Sequence, residues 1–401
     1  MVTLAQILDD IIDKNRNSTT GALDNNKRTR AINRTLDDLQ DYADWDFTRR
    51  TKEFDLIDGV NEYSLEDYLG LTCQDVDGST AVLDFKNPYQ LRKRENSHNP
   101  WAFRDIKDVQ LDIRNNKSVN EYGISQDLLI VNFPKQTSVQ VHDCDSLTAN
   151  GTWTASGDAT NLTLDEVDFR EGDGSLNFDV SAGTSLVISN TTLSPTFDLT
   201  DFENVSYFTV KVYLPTITSF SSIALRWGTD LTANYWNKSE TVPAGNQTLI
   251  AGWNIFAFKW ADADKTGSPD VSALDSLRVT ITYSASTTDT DFRVDDIRVG
   301  KRLEMELEYY SLAMCQDTAG DYQIRFNSDD VTQTDTLLGS TTAKLTVVQG
   351  AVADLFEIIG GKSERDRTDS FKKYEMKKMD LLKKAGHRLV RASRVLNFQR
   401  R

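Results

Sequence analysis

The sequence predicts an α+β protein: a helical bundle with a small β-sheet, plus an inserted all-β sandwich of jelly-roll type. Three observations predict it. Helical patterns open and close the 401-residue chain. Residues 143–300 between them are rich in Thr, Ser, Asp and Asn, hold five of the seven tryptophans and show no helical period. Within that stretch, strand-like runs recur about every ten residues, the spacing of a sandwich.

Taken in order, residues 3–13 read as a helix: Thr3 and Gln6 make a capping box, and Leu4, Ile7, Leu8, Ile11 and Ile12 share one face. A polar break leads to a second helix over 25–43, with Ala31, Ile32, Leu36 and Leu39 at helical spacing. Trp45 and Phe47 then stand where they close a small core. From 48 to 142 the pattern is β, with a hairpin expected about Asp58-Gly59 and a turn at Gln126-Asp127. "KRLEMELEYYS" at 301–311 alternates like a half-buried strand, and "TSVQVH" at 137–142 is its expected partner. That pairing makes 143–300 a guest at a hairpin tip and gives the division 1–142, 143–300 and 301–401. Residues 342–359 form a nearly apolar helix stopped by Gly360-Gly361. Ser363 caps a charged helix with Phe371, Tyr374, Leu382 and Ala385 on one face, and a basic tail follows.

The net charge of −16 is unevenly spread. Residues 143–300 carry 9 Lys/Arg against 22 Asp/Glu, while 361–401 carry 14 against 5. An acidic middle and a basic end suit different partners. No apolar run approaches the roughly 18–20 residues that span a bilayer, so no membrane partner is expected. The acidic amphipathic start is not a secretion signal. Cys73, Cys144 and Cys315 are too few and too scattered for a disulfide framework and fit reduced thiols made in a cytoplasm.

Catalytic patterns are lacking. "GGKS" at 360–363 follows a helix and has Phe356 where a phosphate loop needs glycine. The histidines, His98, His142 and His387, form no metal-spaced cluster. No nucleophile turn is present either. The expectation is a non-enzymatic protein with no catalytic residues.

Outside 143–300 the order of small motifs resembles tailed-bacteriophage head-to-tail adaptors of the tail tubular protein A type. The matching residues are Trp45 and Phe47; Gly59, Tyr63 and Leu65; Tyr122, Ile124, Leu128, Ile130 and Pro134; Tyr309 and Tyr310; and the two closing helices. The large insert and the polar stretch 315–339 depart from that pattern. The resemblance implies a structural virion protein at the head–tail junction, assembled in the cytoplasm of the bacterial host. It implies a ring, twelve copies as a rule, beneath the portal protein, through which packaged DNA passes and on which a tail or nozzle protein and tail fibres dock. The basic terminus, through Arg388, Arg391, Arg394, Phe398, Arg400 and Arg401, is the expected portal contact; the alternatives are a solvated helix face or channel DNA.

Within 143–300, "DCD", "GDGSL", "GWN" and "DDI" resemble carbohydrate-binding-module or laminin-G-like jelly rolls. Trp227, Tyr235 and Trp236 bracket a polar loop and either stack on sugar rings or fill the core; Trp253, Phe256 and Phe258 are expected in the core. In this module class aspartates at strand ends often hold a structural calcium, for which Asp145, Asp173 and Asp295 are the candidates, with a solvated acidic surface as the alternative. No other cofactor is expected. Carbohydrate binding in a virion protein, for adsorption to a host surface, is the alternative function.

Overall fold

The computed structural model describes residues 2–14, 25–75, 81–94, 104–105, 121–133, 136–327, 335–359, 364–384 and 387–389. They fall into two compact units: residues 1–52, 65–91 and 306–401 in one, 53–64 and 92–305 in the other.

The first unit is organised by helices. Leu4–Lys14 and Asn25–Tyr42 take the expected positions. The capping box forms: the Thr3 N–H donates to Gln6 Oε1 at 3.1 Å and the Gln6 N–H to Thr3 Oγ1 at 3.3 Å. Thr341–Ile359 is the long apolar helix, and Ala343, Val347, Val348, Ala351, Val352 and Leu355 bury it against the first two. Gly350 permits that approach, because a Cβ there would lie 2.3 Å from the Thr35 side chain. Trp45 is fully buried, stacks on Phe47 at 5.9 Å and donates its indole N–H to the Leu39 carbonyl. The Glu364–Lys384 helix follows, with Tyr374 and Leu382 buried as expected. Phe371, expected beside them, is instead 58% exposed, because it lies off the stripe that Tyr374 and Leu381 set. Ala385 lies outside the described residues.

In the second unit residues 138–301 form a sandwich of two antiparallel six-stranded sheets. The front sheet orders Ala159–Asp165, Ser175–Val180, Phe292–Lys301, Ser206–Leu214 and Gly252–Lys259, with Ser138–His142 pairing the far end of Phe292–Lys301. The back sheet orders Trp153–Gly157, Gly183–Asn190, Ser276–Thr287, Phe220–Asp230, Asn234–Glu240 and Asp264–Thr266. One apolar core lies between them, from Phe208, Val210 and Val212 on one side to Ile223, Leu225 and Trp227 on the other. The recurring strands expected in 143–300 are present, from Trp153–Gly157 to Phe292–Lys301.

Two pairings differ from expectation. The partner of "TSVQVH" is not the 303–310 strand but the last sandwich strand, with Ser138 opposite Gly300 and Val139 opposite Val299. Leu303–Tyr310 instead lies between Arg49–Leu56 and Asn87–Lys93. Chain entry and exit are nonetheless tied together, since the Lys301 N–H donates to the Thr137 carbonyl at 3.1 Å. The Asp58-Gly59 segment is a turn but no hairpin, because Arg49–Leu56 and Glu62–Ser64 belong to different sheets. Its geometry is held by Gly59 at φ +82° and by the buried Tyr63 hydroxyl, which donates to the Val60 carbonyl at 2.8 Å and accepts the Ile57 N–H. The Gln126-Asp127 turn does join a hairpin, with Leu128 opposite Ser125. The three cysteines are buried and free.

Candidate functional site

The outer surface of the front sheet carries a row of side chains in cross-strand register. Thr163 faces Asn177, Asn177 faces Arg293, Arg293 faces Tyr213, and Tyr213 faces Trp253. Strand parity builds the row: Phe292 and Val294 point into the core, so Arg293 points out, and Val212 and Asn254 do the same for Tyr213 and Trp253.

Arg293 is the hub. Its Nε donates to Asp165 Oδ2 at 2.7 Å and Nη2 pairs with Asp291 Oδ1 at 2.8 Å. Nη1 lies 3.4 Å from Asp168 Oδ2, an ion-pair contact without hydrogen-bond geometry. The guanidinium sits 4.7 Å over the Tyr213 ring. Burial alone would lower the Arg293 pKa, but Asp165, Asp291 and Asp168 outweigh it and raise it. Asp165 is held below the usual carboxylate range: burial opposes this, and the Val167 N–H and Arg293 outweigh it. Trp253 is half-buried; its indole N–H donates to Asp168 Oδ1 at 3.0 Å and its ring meets Tyr213 edge-on at 5.7 Å. Asn177 donates to Asp291 at 2.7 Å.

Beside this row, Lys211 bridges Glu171 at 3.0 Å and Asp296 at 2.9 Å, and Arg298 bridges the same two carboxylates. A β-bulge makes this possible: Thr209 pairs with Arg298 and Lys211 with Asp295, so one strand spends an extra residue and Asp296 takes φ 48°. Both Asp295 and Asp296 are thereby buried. Asp295 Oδ2 accepts the N–H groups of Arg170 and Glu171 at 2.6 and 2.9 Å, while Oδ1 is buried without a partner. Burial pushes the Asp295 carboxyl up to about 6, against the pull of those two N–H groups.

The residues expected to bind sugar are not a platform. Trp227 and Trp236 are 0% and 3% exposed, face each other across strands at 6.5 Å and crowd Trp260 in the core. A stacking ring needs a free face, and neither has one. Tyr235, from the same trio, is on the opposite, outer side, with Arg226 4.0 Å over its ring. Trp253, expected in the core with Phe256 and Phe258, has the opposite parity to both and stands on the outer face. The signal that finds Trp253, Tyr213 and Arg293 is the two-residue period counted within each strand.

Of the calcium candidates, Asp145 Oδ1 accepts the N–H groups of Asp173 and Gly174 at 2.9 Å each, so this contact to residue 173 is through its main chain. Among the described residues no group of three or more His, Cys, Asp or Glu side chains is placed to hold a metal. The fit is therefore partial: of the three candidates Asp295 supplies an orphaned buried oxygen, Oδ1, and main-chain carbonyls would have to complete the shell. The backbone of Arg388 pairs with Asp44; Arg391, Arg394, Phe398, Arg400 and Arg401 lie outside the described residues. Among the described residues no helix is long and apolar enough to cross a membrane.

No protein-family model matches the sequence, and comparison with curated proteins finds no match. Solved structures similar to it include a family 11 carbohydrate-binding module of a cellulosomal cellulase of Clostridium thermocellum, at 10% identity and TM-score 0.30, covering 42% of this chain and 96% of the module. A family 30 module from another cellulosomal cellulase of that organism is 14% identical at TM-score 0.31, covering 41% and 98%. A family 22 module of its Xyn10B is 18% identical at TM-score 0.24, covering 40% and 92%. At these values the likeness carries no functional argument.

Proposed function

We propose that this chain is a non-catalytic structural protein that binds carbohydrate on the outer face of its front sheet. The observation that carries the reading is the row Asn177–Arg293–Tyr213–Trp253, which sets two half-buried aromatic rings beside hydrogen-bonding groups held rigid by ion pairs. Sugar rings present C–H faces to an aromatic surface and hydroxyls to fixed donors and acceptors. Carboxylates outnumber cations along the row, which suits neutral sugars over acidic ones. A glycan array with the full chain tests this: binding to a neutral polysaccharide is expected, with at least a tenfold loss in Trp253→Ala. Binding that survives both Trp253→Ala and Tyr213→Ala would place the ligand elsewhere.

A second reading, the head-to-tail adaptor, is favoured by the helical unit. The buried Trp45 with Phe47 closes a bundle built from both chain ends, and the last helix leaves Phe371, Met376 and Met379 58%, 72% and 47% exposed, apolar surface of the kind that assembly covers. In that reading rings of this protein dock on a portal protein at the head–tail junction, and the sandwich displays its sugar site on the virion. Electron microscopy of the chain mixed with the portal protein of the same phage tests it: a ring capping the portal supports it, and no complex at any salt concentration rejects it. Calcium at Asp295 belongs to this proposal as a stabilising ion of the sandwich, supported by the orphaned Oδ1.

A further inference from the structure

We propose that the outer face of the back sheet holds an oxyanion-binding site, formed by Arg226 and Arg278 with Tyr235, for a carboxylate, sulfate or phosphate group. The site is separate from the front-sheet row and does not depend on it.

The two arginines are direct cross-strand partners, so both project from the same outer surface. Like charges so placed repel, and a fold keeps such a pair at a cost in stability. The other arginines on the strands of this acidic sandwich are answered by carboxylates: Arg293 has three partners and Arg298 has two, and the loop residue Arg170 lies over the Trp253 ring. Among the described residues neither Arg226 nor Arg278 makes an ion pair, although residues 143–300 carry 22 Asp/Glu against 9 Lys/Arg. In their cross-strand row the flanking positions are Ser189 and Asn237, and the acid in register, Asp264, stands on the edge strand two strands from Arg226.

The pair is also ordered in advance. Arg226 Nη1 donates to the Leu231 carbonyl at 2.7 Å, and its guanidinium stacks 4.0 Å over the Tyr235 ring. Arg278 Nε is buried and has no hydrogen-bond partner. Burial, and then the charge of Arg226, lower the Arg278 pKa, while Tyr235 opposes them. A buried donor without an acceptor, beside a second fixed guanidinium, asks for a ligand carrying two or more acceptor oxygens and negative charge. Inorganic oxyanions and the carboxylate of a uronic acid share that chemistry.

The test is thermal unfolding and isothermal titration of the full chain with sodium sulfate, sodium phosphate and sodium glucuronate, against sodium chloride at equal ionic strength. A saturable, oxyanion-specific response is expected for the wild type. Affinity should fall about tenfold or more in R278Q, and by a smaller factor in R278K, which keeps the charge and loses the planar fork. Sulfate also stabilises proteins by exclusion from their surface, without saturation and equally in every variant. Tighter glucuronate binding assigns the site to acidic sugars; tighter sulfate or phosphate binding assigns it to free oxyanions. A response identical in wild type, R278Q and R226Q, or none beyond that of chloride, overturns the proposal.

Discussion

The two outer faces of the sandwich start from the same Thr/Ser-rich alternation and arrive at opposite electrostatic solutions. On the front sheet the strand arginines are neutralised, Arg293 by Asp165, Asp168 and Asp291, and Arg298 by Glu171 and Asp296, while Arg170, in a loop, lies 5.6 Å over the Trp253 ring. On the back sheet Arg226 and Arg278 stand side by side without a carboxylate. A face whose charges satisfy one another is rigid and offers its aromatic rings; a face whose charges are unanswered offers the charges themselves. The difference teaches that net charge does not report how charge is shared between two faces. If both proposed sites bind, this acidic domain presents a neutral-sugar surface on one side and an anion site on the other.

The largest expected effect comes from breaking the front-face network. Arg293→Ala would leave three carboxylates facing one another and uncover Tyr213, and should lower stability by about 3 kcal/mol. That is the lower end for a buried pair, because Asp168 and Asp291 are near half exposed, at 45% and 47%. Urea denaturation checks it; a loss no greater than that of a surface substitution would mean the network is ornamental. The equivalent back-face change, Arg278→Gln, should have the opposite sign.

Next in size is Asp295, under the front sheet. Its folded pKa of about 6 exceeds the unfolded value of about 3.9, so the folded state holds the proton more tightly. Its contribution is complete below about pH 4 and is lost as pH rises through about 6, by about 2–3 kcal/mol. Asp295→Asn should flatten that part of the stability–pH profile. If calcium occupies the orphaned oxygen, millimolar calcium should reverse the slope in the wild type and leave the Asn variant unmoved; an unchanged midpoint in the wild type would sink the calcium assignment.

Much of this contrast was legible in strand parity. Ile223, Leu225 and Trp227 alternate inward along one strand, which places Arg226 outward and denies Trp227 to a sugar. The same count separates Trp253 from Phe256 and Phe258. Grouping aromatics by proximity in sequence mixes two faces, and so Trp227, Tyr235 and Trp236 were an unsuitable trio. The bulge at Asp295 and Asp296 was not legible, since it breaks the period that parity relies on. Nor was the pairing of Ser138–His142 with the last sandwich strand. Alternation reports which face a residue takes and is silent about which of several apolar strands lies beside it. The helices were read well because the capping box and their apolar faces are local.

Trp253→Ala sharpens the comparison from the binding side. It removes one half-exposed ring and the indole donor to Asp168, at about 1 kcal/mol of stability, and should remove most of the proposed sugar affinity. Trp236→Ala provides the contrast, because it opens a hole beside Trp227 and Trp260 and should cost about 3–5 kcal/mol. If Trp253→Ala destabilised the protein as much as Trp236→Ala, the front-face ring would be structural and the sugar site would lose its main support.

The smallest effect is the most discriminating. Arg278→Gln keeps a hydrogen-bonding head on a shorter side chain while removing one of two facing positive charges. In low salt and without oxyanions it should stabilise the protein by about 0.2–1 kcal/mol, the magnitude of a like-charge cross-strand pair. Screening by salt should shrink the gain, because the pair is half exposed. Saturating sulfate or glucuronate should invert it, since the wild type then holds its ligand about tenfold or more tightly than the variant. A protein that retains a pair of charges against its own stability, and gains from that pair only when an anion is present, has the signature of a binding site. A gain that persists unchanged in saturating oxyanion would make the pair a tolerated defect of the fold.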